Sequence, residues 1–277
     1  MHFPRTVLSL TLLAGAVAAA AGAATPTPEA IVDRAVEAAG GTGAFASLGR
    51  LHLTATESET TEEGKSLSGG FSADVGAALL RSSRIELPHG VTLARSGDTA
   101  WAQVGGKLDD RPQTPRMASG MVNAKLFPVL LPFTLKAKGV ALTSVEPVSW
   151  DGTPAWQLTV TFERGFFASP LMGEPWTVVI SRSDHRVLAA EFHPPADFSQ
   201  VSAEGVRYRP LKLTKVGGIR LPSQLLVIGV DANGAERGHV RITKLTYEAR
   251  PADPTLYVNP TRLKALDQGD LSEMPKR

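Results

Sequence analysis

The chain of 277 residues has no cysteine. Disulfides, a thiolate nucleophile and thiolate metal sites are therefore excluded. So is a lipid attached through cysteine behind a leader. Net charge is nearly missing as well: 29 basic and 27 acidic side chains leave a formal +2. That balance gives nucleic acid no electrostatic footprint, even at a pI of about 8.9. Aromatic residues stop at 6%, too few for the aromatic girdles of a membrane-spanning barrel.

Signatures of chemistry are equally thin. There is no G-x-S-x-G elbow and no S-x-x-K pair. The six histidines form no H-E-x-x-H or H-x-H motif. Gly41-Thr42-Gly43-Ala44-Phe45-Ala46 satisfies the dinucleotide glycine pattern literally, but follows a helical stretch where that motif needs a strand. Gly64-Lys65-Ser66 resembles the end of a phosphate loop, whose earlier glycine would fall on Glu59. Glu191 and His193 share a strand face near Asp184 and His185, and a solvated hairpin end fits them better than a metal site.

What remains is globular in character, with 43% hydrophobic and 20% charged residues. The start reads as an export leader. Arg5 supplies the positive region, Val7 to Val17 the apolar core, and Ala21-Gly22-Ala23 the small-residue cleavage site. The apolar run falls short of the ~20 residues a spanning helix needs. Cleavage near Ala23 without a following cysteine places the product in the periplasm or outside the cell, given a bacterial source.

The stretch Pro175–Tyr247 organises the rest. Trp176, Val178 and Ile180 share one face of a first alternating run, and Val187–Phe192 follows after Ser183-Asp184-His185. Further runs cover Val206–Leu213, with Tyr208, then Leu221–Val230 and His239–Tyr247, separated by glycine- and asparagine-bearing turns. Period-two alternation closed by such turns predicts antiparallel strands joined by hairpins. The same pattern appears earlier at Leu51–Ala55 (with Leu53), Leu67–Ala73, Ala78–Leu87, Val91–Arg95 and Thr99–Val104 (with Trp101). Glu57–Lys65 reads as an exposed acidic loop. Val140–Trp150 and Ala155–Phe162 complete about a dozen strands, the latter placing Leu158, Val160 and Phe162 on one face.

Helical pieces are few. Thr27-Pro28-Glu29 reads as a cap, a first-turn proline and an acidic first turn, with Ile31, Ala35, Val36 and Ala39 on one face and Gly40-Gly41 as the stop. A second short turn falls at Ala44–Leu48. Thr114-Pro115 starts another helix, in which Met117, Met121, Val122 and Leu126 form a stripe before the proline-broken run Phe127–Leu135. Thr261–Asp267 is a last short helix before a frayed tail. The helical run interrupts two blocks of strands and is expected as one insert near 111–135. With no repeat and no linker, residues 24–277 are expected as a single domain.

A twisted sheet of this width curls. The expected fold is mainly β with α elements: an unclosed antiparallel half-barrel wrapped around a few short helices. So little helix is too small a cover for its apolar face, which predicts a cavity, with Met117–Leu135 as its lid. The export leader, the opening helix ending in Gly-Gly, the mid-chain helix with its proline-broken run and the hairpin Val216-Gly217-Gly218-Ile219-Arg220-Leu221-Pro222 are among the features of a resemblance. So is the turn Trp150-Asp151-Gly152-Thr153-Pro154-Ala155-Trp156. Together they resemble periplasmic carriers of the LolA/LolB outer-membrane lipoprotein-sorting type. That resemblance implies a half-barrel binding acyl chains in its concave face.

The expectation is therefore a periplasmic monomer, not an enzyme and without cofactor, that binds a lipid or lipoprotein acyl chain. Its cavity and lid would be built from the residues named above in the insert, the Ala155–Phe162 run, the Trp176 run, Leu53, Trp101 and Tyr208. Transient membrane contact and an envelope protein partner are allowed for. Two alternatives stand beside it. One is a filled envelope β domain that binds a protein partner. The other is an enzyme with Asp184, Glu191 and His193 converging at the barrel mouth.

Overall fold

The computed structural model describes residues 25–60, 64–168, 172, 175–193, 205–231 and 234–267. The expected leader, its cleavage site near Ala23 and the tail beyond Asp267 lie outside the described residues. No helix among the described residues is long and apolar enough to cross a membrane.

Helix α1 (Pro28–Ala38) forms where its caps require it. The Thr27 hydroxyl accepts from the Ala30 N–H at 3.2 Å, and Pro28 occupies a first-turn position that needs no donor. The apolar stripe then buries Ile31, Val32, Ala35 and Val36. Gly40, at φ +113°, turns the chain directly into α2 (Gly41–Ser47).

Thirteen strands follow in one antiparallel sheet. The first block is β1 (Arg50–Thr60), β2 (Ser66–Gly76), β3 (Ser82–Leu87), β4 (Val91–Ser96), β5 (Thr99–Val104) and β6 (Lys107–Leu108). The second is β7 (Val140–Trp150), β8 (Thr153–Phe162), β9 (Trp176–Ser181), β10 (Val187–Phe192), β11 (Gly205–Val216), β12 (Ile219–Val230) and β13 (Glu236–Arg250). The order across the sheet is β6-β5-β4-β3-β2-β1-β13-β12-β11-β10-β9-β8-β7. Two meanders thus run in opposite directions from a central β1–β13 pair, which is in register from Arg50–Arg250 to Thr60–Val240. The sheet is not closed: β6 and β7 are its two free edges.

Helix α3 (Thr114–Leu126) and the broken run after it join those two edges. The insert leaves β6, crosses the inner face and re-enters at β7. The broken run is buried throughout: Phe127 and Leu130 are fully buried, like Leu126 before them, and Phe133 almost so. One apolar cluster unites α1, α2, the insert and the inner face of both meanders. A small second cluster of Ala155, Val179 and Ala189 covers part of the outer face. Helix α4 (Pro260–Asp267) ends the described chain.

Three expectations shift. The loop expected at Glu57–Lys65 is strand as far as Thr60, because β2 and β13 both offer ladders to β1 whatever its side chains are. The strand expected from Ala78 starts only at Ser82. Leu79 takes φ +52° at the head of a single 3-10 turn, a conformation no strand holds. The helix begun by Thr114-Pro115 has Gln113 as its cap residue, with no side-chain cap bond.

Candidate functional site

The inner face is organised by aromatic rings. Phe127, at the end of α3, meets Phe162 and Trp176 edge-on with centroids 5.2 Å away in each case. Phe166 and Phe167 stand edge-on to it at 6.0 Å. Trp176 in turn stacks on Phe192 at 5.0 Å and on Tyr208 at 5.6 Å. Period-two alternation causes this: β9 turns Trp176, Val178 and Ile180 inward, β8 turns Leu158 and Val160 inward, and β1 adds Leu53, all fully buried. Desolvation pushes the Tyr208 hydroxyl up to about 12.

Most residues expected at the cavity and lid therefore meet, but as a packed contact. The insert does not roof a roomy chamber. It fills the inner face, and the hollow between it and β1, β2 and β11–β13 is only about 40 Å³. The sequence pattern counted helical cover by length, whereas six bulky residues of the broken run, Phe127, Val129, Leu130, Leu131, Phe133 and Leu135, do the filling. Two expected residues point elsewhere. Met117 lies on the outer side of α3 and is 47% exposed, because the buried stripe runs through Ala118, Val122 and Leu126, with Met121 half-buried beside it. Trp101 is buried outside the inner cluster, since alternation in β5 gives the inward place to Ala102. Its indole N–H donates to the Tyr257 carbonyl at 2.9 Å.

Polar ties hold the insert to the frame. Asn123, fully buried in α3, accepts from Arg95 Nη1 at 3.1 Å and donates to the Phe166 carbonyl at 2.7 Å. Burial lowers the Arg95 pKa. The Thr134 hydroxyl donates to the Phe127 carbonyl at 2.8 Å, satisfying a group the broken helix leaves free. Gly120 lets α3 touch the loop after β8; a Cβ there would lie 2.1 Å from Ala168 N. Lysines add ion pairs at the rim: Lys125 with Glu57 at 3.3 Å, Lys136 with Asp33 at 2.6 Å and Lys138 with Asp98 at 3.3 Å. The hydrogen bond to Lys138, aided by Arg81, holds the Asp98 carboxyl below its ordinary range. The exposed pairs of Lys136 and Lys138 add little to stability, because water screens them.

A larger hollow lies where the sheet itself parts. Among the described residues, strands β10 and β11 pair only at Ala190–Tyr208, Glu191–Arg207 and Phe192–Val206. Below them Pro210 has no N–H to give, and β11 shifts register against its other neighbour, β12, at Pro210/Lys212 and Lys212/Leu213. The seam opens inward onto a hollow of about 200 Å³ bounded by α1, the insert at Leu131-Pro132 and the β11–β12 hairpin. It opens outward onto a shallower one of about 520 Å³ beside Trp150. The two share Arg186, Val187, Pro210 and Leu213. Sequence patterning singled out none of these four for a site, although a proline within an alternating run was the visible signal.

The alternative acid–base constellation does not converge. Glu191 is buried and tied to Arg207 Nε at 2.6 Å and to His193. Asp184 sits beyond the opposite end of β10 and pairs with Arg186 at 3.2 Å. Among the described residues no group of three His, Cys, Asp or Glu side chains is placed to hold a metal.

An open antiparallel half-barrel plugged from edge to edge by its own insert defines the class. A similar fold is seen in a LolA superfamily protein from Nitrosomonas europaea with 12% identity, covering 86% of this chain and 100% of that one, at a TM-score of 0.58. A DUF1329 family protein from Desulfovibrio piger is similar at 14% identity, 86% and 100% coverage and a TM-score of 0.54. So is a domain from Vibrio parahaemolyticus described in terms of outer membrane lipoprotein sorting, at 11% identity, 85% and 99% coverage and a TM-score of 0.54. No family model and no curated protein matches the sequence. Identities this low establish a shared architecture.

Proposed function

We propose that the protein is a non-enzymatic carrier that holds a lipid or lipoprotein acyl chain against the inner face of its half-barrel. Residues 1–23 serve as the export leader, residues 24–277 form one domain, and the periplasm is its place of work. One observation carries this reading. The element covering the apolar face is a separate insert, joined to the sheet edges and held at its rim by exposed ion pairs. Lifting it uncovers a ready apolar surface that includes Leu53, Leu158, Val160, Trp176, Val178 and Tyr208.

Affinity would come from methylene burial, at ~0.8 kcal/mol for each CH₂. Native mass spectrometry of protein purified from cell envelopes without detergent is expected to show an acyl-bearing adduct. Delipidated protein is expected to take up a fluorescent fatty acid, and Met121→Gln, on the half-buried side of α3, to weaken uptake several-fold. Protein that arrives empty and takes up no acyl chain would sink the proposal.

A further inference from the structure

The seam between β10 and β11 is more than a gap in the ladder. Its inner hollow has apolar walls from Ala35, Ala38, Leu131, Pro132 and Val187. At its rim Leu213, like its strand neighbour Leu211, leaves 47% of its surface exposed. Those are two of the large apolar side chains left in water, and they are side by side in β11.

The charges at this mouth are unequal. Arg186 is neutralised by Asp184, and Arg209, on the outer side, by Asp151 and Glu236. Arg220, an exposed residue, lines the inner hollow and forms no ion pair among the described residues. His185 lines the same hollow, and its Nδ1 is buried with no hydrogen-bond partner among the described residues. An apolar slot, one unmatched cation and one unmatched ring nitrogen together specify a ligand. It has an apolar tail and a head with one negative charge and more than one acceptor oxygen. A planar carboxylate suits the guanidinium fork.

Resting on the carrier reading above, we propose that this seam is the seat of a single-chain fatty acid, with its chain in the hollow and its carboxylate on Arg220. The narrow volume takes one chain, and the open seam lets it enter from the side without displacing the insert.

The native chain has no cysteine, so a single one can be labelled cleanly. Leu213→Cys would carry an environment-sensitive dye, with Leu67→Cys on exposed β2 as the control position. Laurate is expected to shift the dye at 213 saturably and leave the dye at 67 unchanged. Arg220→Glu is expected to weaken laurate at least tenfold, and dodecyltrimethylammonium to compete poorly. Ala38→Phe, which fills the slot from α1, is expected to abolish the shift; Arg220→Glu, on the surface, keeps the test valid if that variant folds badly. Laurate bound by mass spectrometry with a silent dye and full affinity in both variants would overturn the seam and leave the carrier reading standing. Dodecyl phosphate binding more tightly than laurate would overturn the carboxylate assignment. No uptake of any of these amphiphiles would remove both readings together.

Discussion

The backbone N–H of Arg220 donates to the carbonyl of Ala39 at 2.8 Å. This one bond fastens the end of α1 to the β11–β12 hairpin and fixes the wall of the seam hollow. It requires a close approach: a Cβ on Gly40 would stand 2.5 Å from the Gly218 carbonyl oxygen, and Gly40 sits at φ +113°. Gly40→Ala is therefore expected to cost about 2 kcal/mol or more in urea unfolding. Gly43→Ala has open space at its Cβ and is expected to be neutral or mildly stabilising. Equal effects at the two positions would contradict the packing described.

Phe127 tests whether the insert is a plug or an ornament. It is fully buried among four aromatic rings, so Phe127→Ala is expected to destabilise by ~3–5 kcal/mol. Met117→Ala, on the exposed side of the same helix, should stay within about 0.5 kcal/mol. Thermal and denaturant unfolding of both variants would decide it.

Glu191→Gln removes one partner of a buried pair. The Arg207 and Glu191 side chains are only 11% and 10% exposed. Arg207 keeps Glu236 at 3.6 Å and the Gly234 carbonyl at 2.8 Å, so losing the charged hydrogen bond is expected to cost about 2 kcal/mol. Because Glu191–Arg207 is one of the three rungs joining β10 to β11, the loss should also speed amide exchange along that seam. Exchange unchanged there would show that the rungs hold without the pair.

Alkaline stability follows from the tyrosines. The chain has three, and burial raises the pKa of each: Tyr208 and Tyr257 to about 12, Tyr247 further still. The folded state keeps these protons while the unfolded chain releases them near 10.0. Their contribution is thus whole below pH 10 and is lost as pH rises from there through 12. Tyrosinate absorbance should stay flat to about pH 11 and then rise together with loss of β-sheet signal. A smooth titration centred on pH 10 in folded protein would contradict their burial.

Much of the sheet was legible because one of its faces is buried, and burial of one face is what writes period two into a strand. Leu51, Leu53 and Ala55, or Trp176, Val178 and Ile180, announce their strands for that reason. Trp101 shows the limit. Alternation says that neighbours face opposite ways, but both faces of β5 are covered, so size alone did not say which was inner. Met117 failed similarly: a helix of Thr, Met, Ala and Gly has no sharp apolar edge, and packing chose Ala118 over it. The filling of the inner face was hidden because it depends on how bulky residues interdigitate after the chain folds. The seam was hidden because it arises from which rungs fail to form between two strands 12 or more residues apart in sequence.

The insert is sewn to both margins of an open sheet. It therefore works as a drawstring: the mouth between β6 and β7 can widen only by the slack of the backbone from 109 to 139. On the carrier reading proposed above, bulky cargo would have to be admitted within that tether's reach, and lengthening it with a few glycines should enlarge what the mouth accepts before it changes how firmly the walls stand.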